Sequence, residues 1–138
     1  MGRSSAAVPS PSVRVMLVDD EAAFRFSAVV AMRRGGYRVE EAADGKEALR
    51  KILAARDAGD PFRLVITDIR MPEMSGIELI DALRERGVDA ALCAITCFGD
   101  QALVSELAGK GCTQYLEKPF SPDDLVQRIR AILEGDSP

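Results

Sequence analysis

The chain has 138 residues with a net charge of −4, and its composition includes 18 lysines and arginines, 22 aspartates and glutamates, and no histidine. This length predicts one domain with its own hydrophobic core, and the negative charge together with only two tyrosines and no tryptophan argues against direct nucleic-acid binding by this chain. The lack of histidine excludes Ser-His-Asp and Cys-His catalytic units and histidine-containing zinc sites, so a metal would need oxygen or cysteine ligands.

The chain begins with a segment, residues 1–12, that is small, polar and proline-containing. It lacks the apolar stretch of a secretory signal, and we expect a flexible tail. A single domain is expected over residues 13–135, followed by a short tail at 136–138.

Five apolar or β-branched runs predict strands that begin near residues 13, 37, 63, 91 and 113. Each run precedes a stretch with helical spacing of apolar residues. Three of these helices carry start signals, namely the capping-box spacings Asp44–Glu47 and Ser75–Glu78 and the sequence Ser121-Pro122. The alternation predicts an α/β fold with a parallel sheet, helices on both faces, and strands buried on both sides.

The longest apolar stretch, around residues 90–95, is too short to span a bilayer. The three cysteines, Cys93, Cys97 and Cys112, lack the spacing of a zinc site or a disulfide framework. These features predict a cytoplasmic protein with reduced thiols and no membrane segment.

Polar residues follow four of the predicted strands, where ligands of open α/β sheets bind. The first strand ends in Asp19 and Asp20, the third in Asp68, the fourth in Thr96 and the fifth in Lys118. A hard cation such as Mg²⁺ would relieve the mutual repulsion of the three carboxylates, and the lysine would meet an anion. A carboxylate nucleophile, Mg²⁺, a lysine and a hydroxyl together predict a phosphoryl-transfer site with an aspartate acceptor.

These residues give the chain a resemblance to the receiver domains of two-component response regulators, such as the chemotaxis response regulator. The resemblance covers about residues 13–133 and is carried by Val18-Asp19-Asp20-Glu21, Ala43-Asp44-Gly45, the segment from Asp68 to Gly76, Thr96, and the segment from Tyr115 to Phe120. It implies a receiver domain over residues 13–135 with a flavodoxin-like (βα)5 three-layer sandwich and strand order 2-1-3-4-5.

The resemblance assigns the acidic residues to phosphate and metal chemistry. Asp68 matches the phosphoacceptor. Asp19, Asp20, Asp68 and the backbone carbonyl of Arg70 match the Mg²⁺ ligands, with Asp20 binding more directly and Asp19 partly through water. The side chains of Arg70 and Phe98 lie in positions that flank the phosphoryl group in the family, and we expect them to shield it from water.

The resemblance also implies a switch. Lys118 matches the phosphoryl-binding lysine, and the Lys118–Pro119 peptide is commonly cis in the family. Thr96 would be drawn to the phosphoryl oxygens, and Tyr115 would turn inward, which re-forms the surface of the fourth helix, fifth strand and fifth helix. Cys97 stands where the family usually has alanine, and we expect it to pack as a small side chain.

A sensor histidine kinase or phosphotransfer protein is the implied phosphodonor, and an output domain or protein partner would bind the switch surface. The chain would then be a signalling switch that assists only its own phosphorylation and dephosphorylation. Either a free-standing receiver or part of a longer regulator fits this pattern.

Three other functions are compatible with parts of the sequence. A small Mg²⁺-dependent aspartyl-phosphate hydrolase would need an Asp-x-Asp pattern on the first strand and a cap over the site, whereas here Asp19 and Asp20 are adjacent and no segment is long enough for a cap. A flavodoxin-like cofactor binder would need a phosphate-cradling loop where this chain has Asp19-Asp20-Glu21. The third alternative is a receiver that is not phosphorylated.

Overall fold

The computed structural model describes residues 13–71 and 73–135, so the predicted tails at 1–12 and 136–138 lie outside the described residues. Strands and helices alternate along the chain in the order β1 (Arg14–Val18), α1 (Ala22–Arg34), β2 (Arg38–Ala42), α2 (Gly45–Asp57), β3 (Leu64–Asp68), α3 (Gly76–Glu85), β4 (Ala91–Thr96), α4 (Gln101–Ala108), β5 (Gln114–Glu117) and α5 (Pro122–Gly135). The predicted alternation is confirmed. Within the described ranges, no helix has the length and apolarity needed to cross a membrane.

The five strands form one parallel sheet in the order β2-β1-β3-β4-β5, which confirms the predicted flavodoxin-like topology. In this register Val18 lies beside Thr67, and Asp68 lies beside Ile95. Thr96 lies beside Glu117, the residue before Lys118. The carboxyl ends of the strands therefore meet at one edge of the sheet.

Two hydrophobic layers cover the two faces of the sheet. Met16 and Val18 of β1 pack in the layer formed with α2 and α3, whereas the alternate residues Val15 and Leu17 pack in the layer formed with α1 and α5. The expectation that every strand is buried on both sides is wrong for β5. This strand lies at the edge of the sheet, and three of its four residues are exposed.

Two helix starts next to the functional edge are capped as their sequences predict, but in different ways. The Ser75 hydroxyl accepts the Glu78 N–H at 3.2 Å, and the Glu78 carboxylate accepts the Ser75 N–H at 2.9 Å, which completes a capping box. The Asp44 carboxylate accepts the Glu47 N–H at 2.9 Å. Here the Glu47 carboxylate reaches one residue further back and accepts the Ala43 N–H at 2.9 Å.

Candidate functional site

Three carboxylates gather at the carboxyl edge of the sheet. Oxygen atoms of Asp19, Asp20 and Asp68 lie within 4.8 Å of one another. Asp19 is completely buried and Asp68 is 8% exposed, whereas Asp20 is exposed. The Glu21 N–H donates to Asp19 Oδ1 at 2.8 Å, which fixes one oxygen of the buried carboxylate.

Asp68 is held at the end of β3 by the backbone that follows it. The Arg70 N–H donates to Asp68 Oδ1 at 3.0 Å, and the Gly76 N–H donates to the Ile69 carbonyl at 2.9 Å. A Cβ on Gly76 would lie 2.2 Å from the Asp68 carbonyl oxygen, so this turn requires glycine. The loop between β3 and α3 therefore packs closely against the candidate acceptor.

Burial raises the pKa of Asp68 above the usual range of an aspartate, and the negative charge of Asp19 adds to this effect. The Arg70 N–H and the Lys118 ammonium oppose the increase without cancelling it. The Asp68 carboxyl group thus lies in a site with excess negative charge.

Lys118 brings a positive charge into the cluster. Its Nζ lies 3.3 Å from Asp19 Oδ2, 3.6 Å from Asp68 Oδ2 and 3.6 Å from Glu21 Oε1. Burial lowers the pKa of Lys118, but the facing Asp19 and Asp68 carboxylates outweigh it and hold the pKa above its usual value. The ammonium therefore stays charged and faces the carboxylates.

The backbone ties Lys118 to the end of β4, where Thr96 lies. The Lys118 N–H donates to the Thr96 carbonyl oxygen at 2.8 Å, and the Lys118–Pro119 peptide is cis, as expected. Thr96 is 3% exposed, whereas Tyr115 on the neighbouring strand is 45% exposed. Thr96, Val104 and Tyr115 are among the residues that line a surface depression of about 350 Å³.

The loop after β4 differs from the prediction. Cys97 is exposed, so the expectation that it packs inside the protein is wrong. The carboxylate of buried Asp100 accepts the Cys97 N–H at 2.8 Å, and this bond closes the loop with the Cys97 side chain outside. Arg70 donates to Asp100 Oδ1 through Nη2 at 2.6 Å, and Phe98 is 88% exposed. In this arrangement Arg70 contacts Asp100, and the ring of Phe98 faces solvent.

Phe24, Glu21 and Asp100 contact the predicted site residues, although sequence reasoning gave them no role there. The Lys118 Nζ lies over the Phe24 ring at 4.7 Å from its centroid. The contact of Phe24 with Lys118 could not be predicted, because contacts between distant chain segments leave no local periodicity. Asp100 precedes α4 and lies 30 residues from its partner Arg70, so local sequence patterns do not indicate this contact either.

The chemistry of the donor set fits a hard divalent cation. All three clustered side chains offer carboxylate oxygens, and burial of Asp19 and Asp68 leaves little water to screen the repulsion between these two. Lys118 supplies one positive charge against these three carboxylates. Oxygen ligands with excess negative charge are the environment that Mg²⁺ prefers.

Comparison with known proteins gives consistent matches. The sequence model of the response regulator receiver domain family matches residues 15–130. The response regulator MprA of Mycolicibacterium vanbaalenii is 37% identical over 128 residues, which cover 91% of this chain and 52% of that protein. The chain thus spans about half the length of the curated relatives it matches.

Solved structures show the same architecture. The chemotaxis response regulator CheY4 of Vibrio cholerae is 32% identical, with a TM-score of 0.77 and coverage of 87% of this chain and 98% of that one. A two-component system response regulator/GGDEF domain protein is 30% identical, with a TM-score of 0.78 and coverage of 91% and 50%.

Proposed function

Since the chain belongs to the receiver domains of two-component response regulators, we propose that it is a phosphorylation switch that accepts a phosphoryl group on Asp68. The observation that carries this proposal is the position of the Lys118 ammonium, 3.3 Å from Asp19 and 3.6 Å from Asp68. An acceptor carboxylate and a cation for the phosphoryl oxygens thus lie side by side, and phosphoryl transfer depends mainly on such positioning and charge neutralisation.

Receiver domains generally bind Mg²⁺ in an acidic pocket, and this chain has such a pocket. We assign its ligands to the carboxylates of Asp19, Asp20 and Asp68 and the backbone carbonyl of Arg70. Exposed Asp20 is the more direct ligand, whereas Asp19, which is buried and already paired with Lys118, acts partly through water. Bound Mg²⁺ would neutralise negative charge on the carboxylates and on the incoming phosphoryl oxygens.

In the proposed transfer, a carboxylate oxygen of Asp68 attacks the phosphorus of an external donor. The new oxygen–phosphorus bond forms as the bond between phosphorus and the donor breaks, and the bonding electron pair leaves with the donor. Lys118 pairs with the phosphoryl oxygens. The donor is external, because this chain has no histidine that could serve. Membership of the receiver family supports a sensor histidine kinase or a phosphotransfer protein in this role.

The transferred group then acts on the neighbouring strands. The Thr96 hydroxyl moves toward the phosphoryl oxygens, and the Tyr115 ring turns inward from its exposed position, next to the depression that these residues line. The altered surface of α4, β5 and α5 binds an output domain or a protein partner. In this account the receiver domain of residues 13–135 is a cytoplasmic switch that catalyses only its own phosphorylation and dephosphorylation, and it binds neither nucleic acid nor membrane directly.

Intact-mass spectrometry after incubation with acetyl phosphate tests this function. We expect one phosphoryl adduct on the wild-type protein in the presence of Mg²⁺, and little or none after chelation of divalent ions. Asp68→Asn should remain unlabelled. Asp89→Asn changes an exposed aspartate of the same chemistry and should be labelled like the wild type.

The outcomes separate the alternatives. Full labelling of Asp68→Asn would assign the acceptor to another residue. A wild-type protein that stays unlabelled with Mg²⁺ would identify a receiver that is not phosphorylated. Steady-state release of phosphate from small phosphate esters would instead support a hydrolase, and we expect no such turnover.

A further inference from the structure

An aromatic ring lies against the ammonium of Lys118 on the side of α1. The Lys118 Nζ is 4.7 Å from the centroid of the Phe24 ring, within the range of a cation–π interaction. Phe24 lies in the first turn of α1 and is half-buried, so its ring is partly withdrawn from water. A half-desolvated cation–π contact is stronger than one at a fully exposed surface.

The Phe24 ring is itself held in place by the segment that carries Lys118. Phe120, two residues after Lys118, meets the Phe24 ring edge to face, with centroids 5.5 Å apart and planes at 84°. This is a favoured geometry for aromatic pairs. The start of α1 and the segment after β5 are therefore joined by a contact that fixes the ring beneath the ammonium.

Lys118 needs such support because its contacts compete with one another. Its ammonium ends a flexible four-carbon stem, and Asp19, Asp68 and Glu21 all lie within 3.6 Å. The Glu21 side chain is 64% exposed, so this carboxylate attracts the ammonium toward the rim of the site and away from Asp68. A ring on one side of the ammonium restricts it to the space between the carboxylates.

We propose that Phe24 is a positioning residue for phosphoryl transfer, whose ring holds the Lys118 ammonium beside Asp68 before the phosphoryl group arrives. This inference rests on the proposed function, because the ammonium is held for the oxygens of a group transferred to Asp68. A lysine that is already in place does not have to be ordered during the transfer, so the contact lowers the barrier to the reaction.

The test measures the rate of Asp68 labelling by acetyl phosphate at saturating Mg²⁺. We expect Phe24→Leu to be labelled about fivefold more slowly, the change that corresponds to about 1 kcal/mol of cation–π interaction. Phe24→Tyr keeps an electron-rich ring and should restore a rate near that of the wild type. Phe26→Leu makes the same change at a ring on α1 that is 71% exposed, and its rate should be unchanged.

Two further measurements separate positioning from general packing. Phenylalanine analogues with increasing fluorination at residue 24 keep the ring shape while weakening its negative face, and the labelling rate should fall stepwise along this series. The ε-methylene protons of Lys118 should show an upfield ring-current shift in the wild type and in Phe26→Leu. This shift should disappear in Phe24→Leu.

Equal labelling rates for Phe24→Leu and the wild type would overturn the proposal, as would a rate that does not change along the fluorinated series. The second criterion applies even if the leucine variant folds poorly. A wild-type protein that is not labelled at all would instead contradict the proposed function. The ring-current shift would then still report whether Phe24 and Lys118 are in contact.

Discussion

Asp68 is buried beside a second carboxylate, and this position has a cost in the metal-free protein. Burial raises the pKa of Asp68, and the charge of Asp19 raises it further. The folded chain therefore retains this proton to a higher pH than the unfolded chain does. Unfolding releases the proton over that interval, so the contribution of Asp68 to stability falls as pH rises through its raised pKa.

Replacing Asp68 by asparagine is therefore expected to raise the free energy of unfolding of the metal-free protein at neutral pH. The difference from the wild type should be small near about pH 4 and should grow as pH rises. Urea unfolding in the presence of a chelator measures it, with the exposed-site variant Asp89→Asn as the control. A wild-type protein at least as stable as Asp68→Asn throughout this range would show that the carboxylate is not destabilising.

Much of the candidate site follows from the sequence because strand ends can be located without the structure. Asp19, Asp68, Thr96 and Lys118 lie at the ends of predicted strands, and a parallel sheet must bring such ends to one edge. Contacts made by side chains from different segments could not be predicted in this way. The position of the Phe24 ring under Lys118 depends on how α1 packs beside the end of β5, which no local pattern records.

At the scale of elements, two loops beside Asp68 are tied together by one ion pair. The Asp100 carboxylate accepts a hydrogen bond from the Cys97 N–H, and this bond closes the loop before α4. It also accepts two hydrogen bonds from the guanidinium of Arg70, which lies in the loop before α3. The Cys97 N–H is the main cause of the lowered pKa of Asp100, and Arg70 adds to it against the effect of burial. Asp100 thus joins the loop after the acceptor to the loop after Thr96.

The two partners of this pair should contribute unequally to stability. Asp100→Ala removes a buried acceptor and should lower the free energy of unfolding by about 1–3 kcal/mol. Arg70→Ala should lower it by at most about 1 kcal/mol, because the Arg70 side chain is 63% exposed. Urea unfolding measures both effects.

Asp81→Ala is a matched control for this comparison, because it breaks the ion pair with Lys110 in which Asp81 is half-exposed. It should resemble Arg70→Ala rather than Asp100→Ala. Equal losses for Arg70→Ala and Asp100→Ala would contradict the view that Asp100 acts mainly through the backbone of its own loop.

Across the whole molecule, the predicted alternation of strands and helices correctly indicated a parallel sheet, because parallel strands require crossover connections. The order of the strands was implied by the resemblance to receiver domains and is confirmed. The exposure of β5 did not follow from the sequence, since its short pattern was interpreted as another buried strand.

The exposed strand β5 has a role in the proposed switch. It places Tyr115 at the surface beside α4, on the far side of Thr96 from Asp68, where a local change at the acceptor can alter a binding surface.

In the proposed switch, phosphorylation of Asp68 changes the surface of α4, β5 and α5 through Thr96. Amide chemical shifts of the ¹⁵N-labelled protein, recorded with Mg²⁺ before and after addition of acetyl phosphate, test it most directly. We expect large changes in residues 96–117 and 122–135 and small ones in α2. In Thr96→Ala, Asp68 should still be labelled but the changes should remain near the acceptor. Changes confined to the surroundings of Asp68 in the labelled wild type, or a full response in Thr96→Ala, would show that Thr96 does not couple Asp68 to this surface.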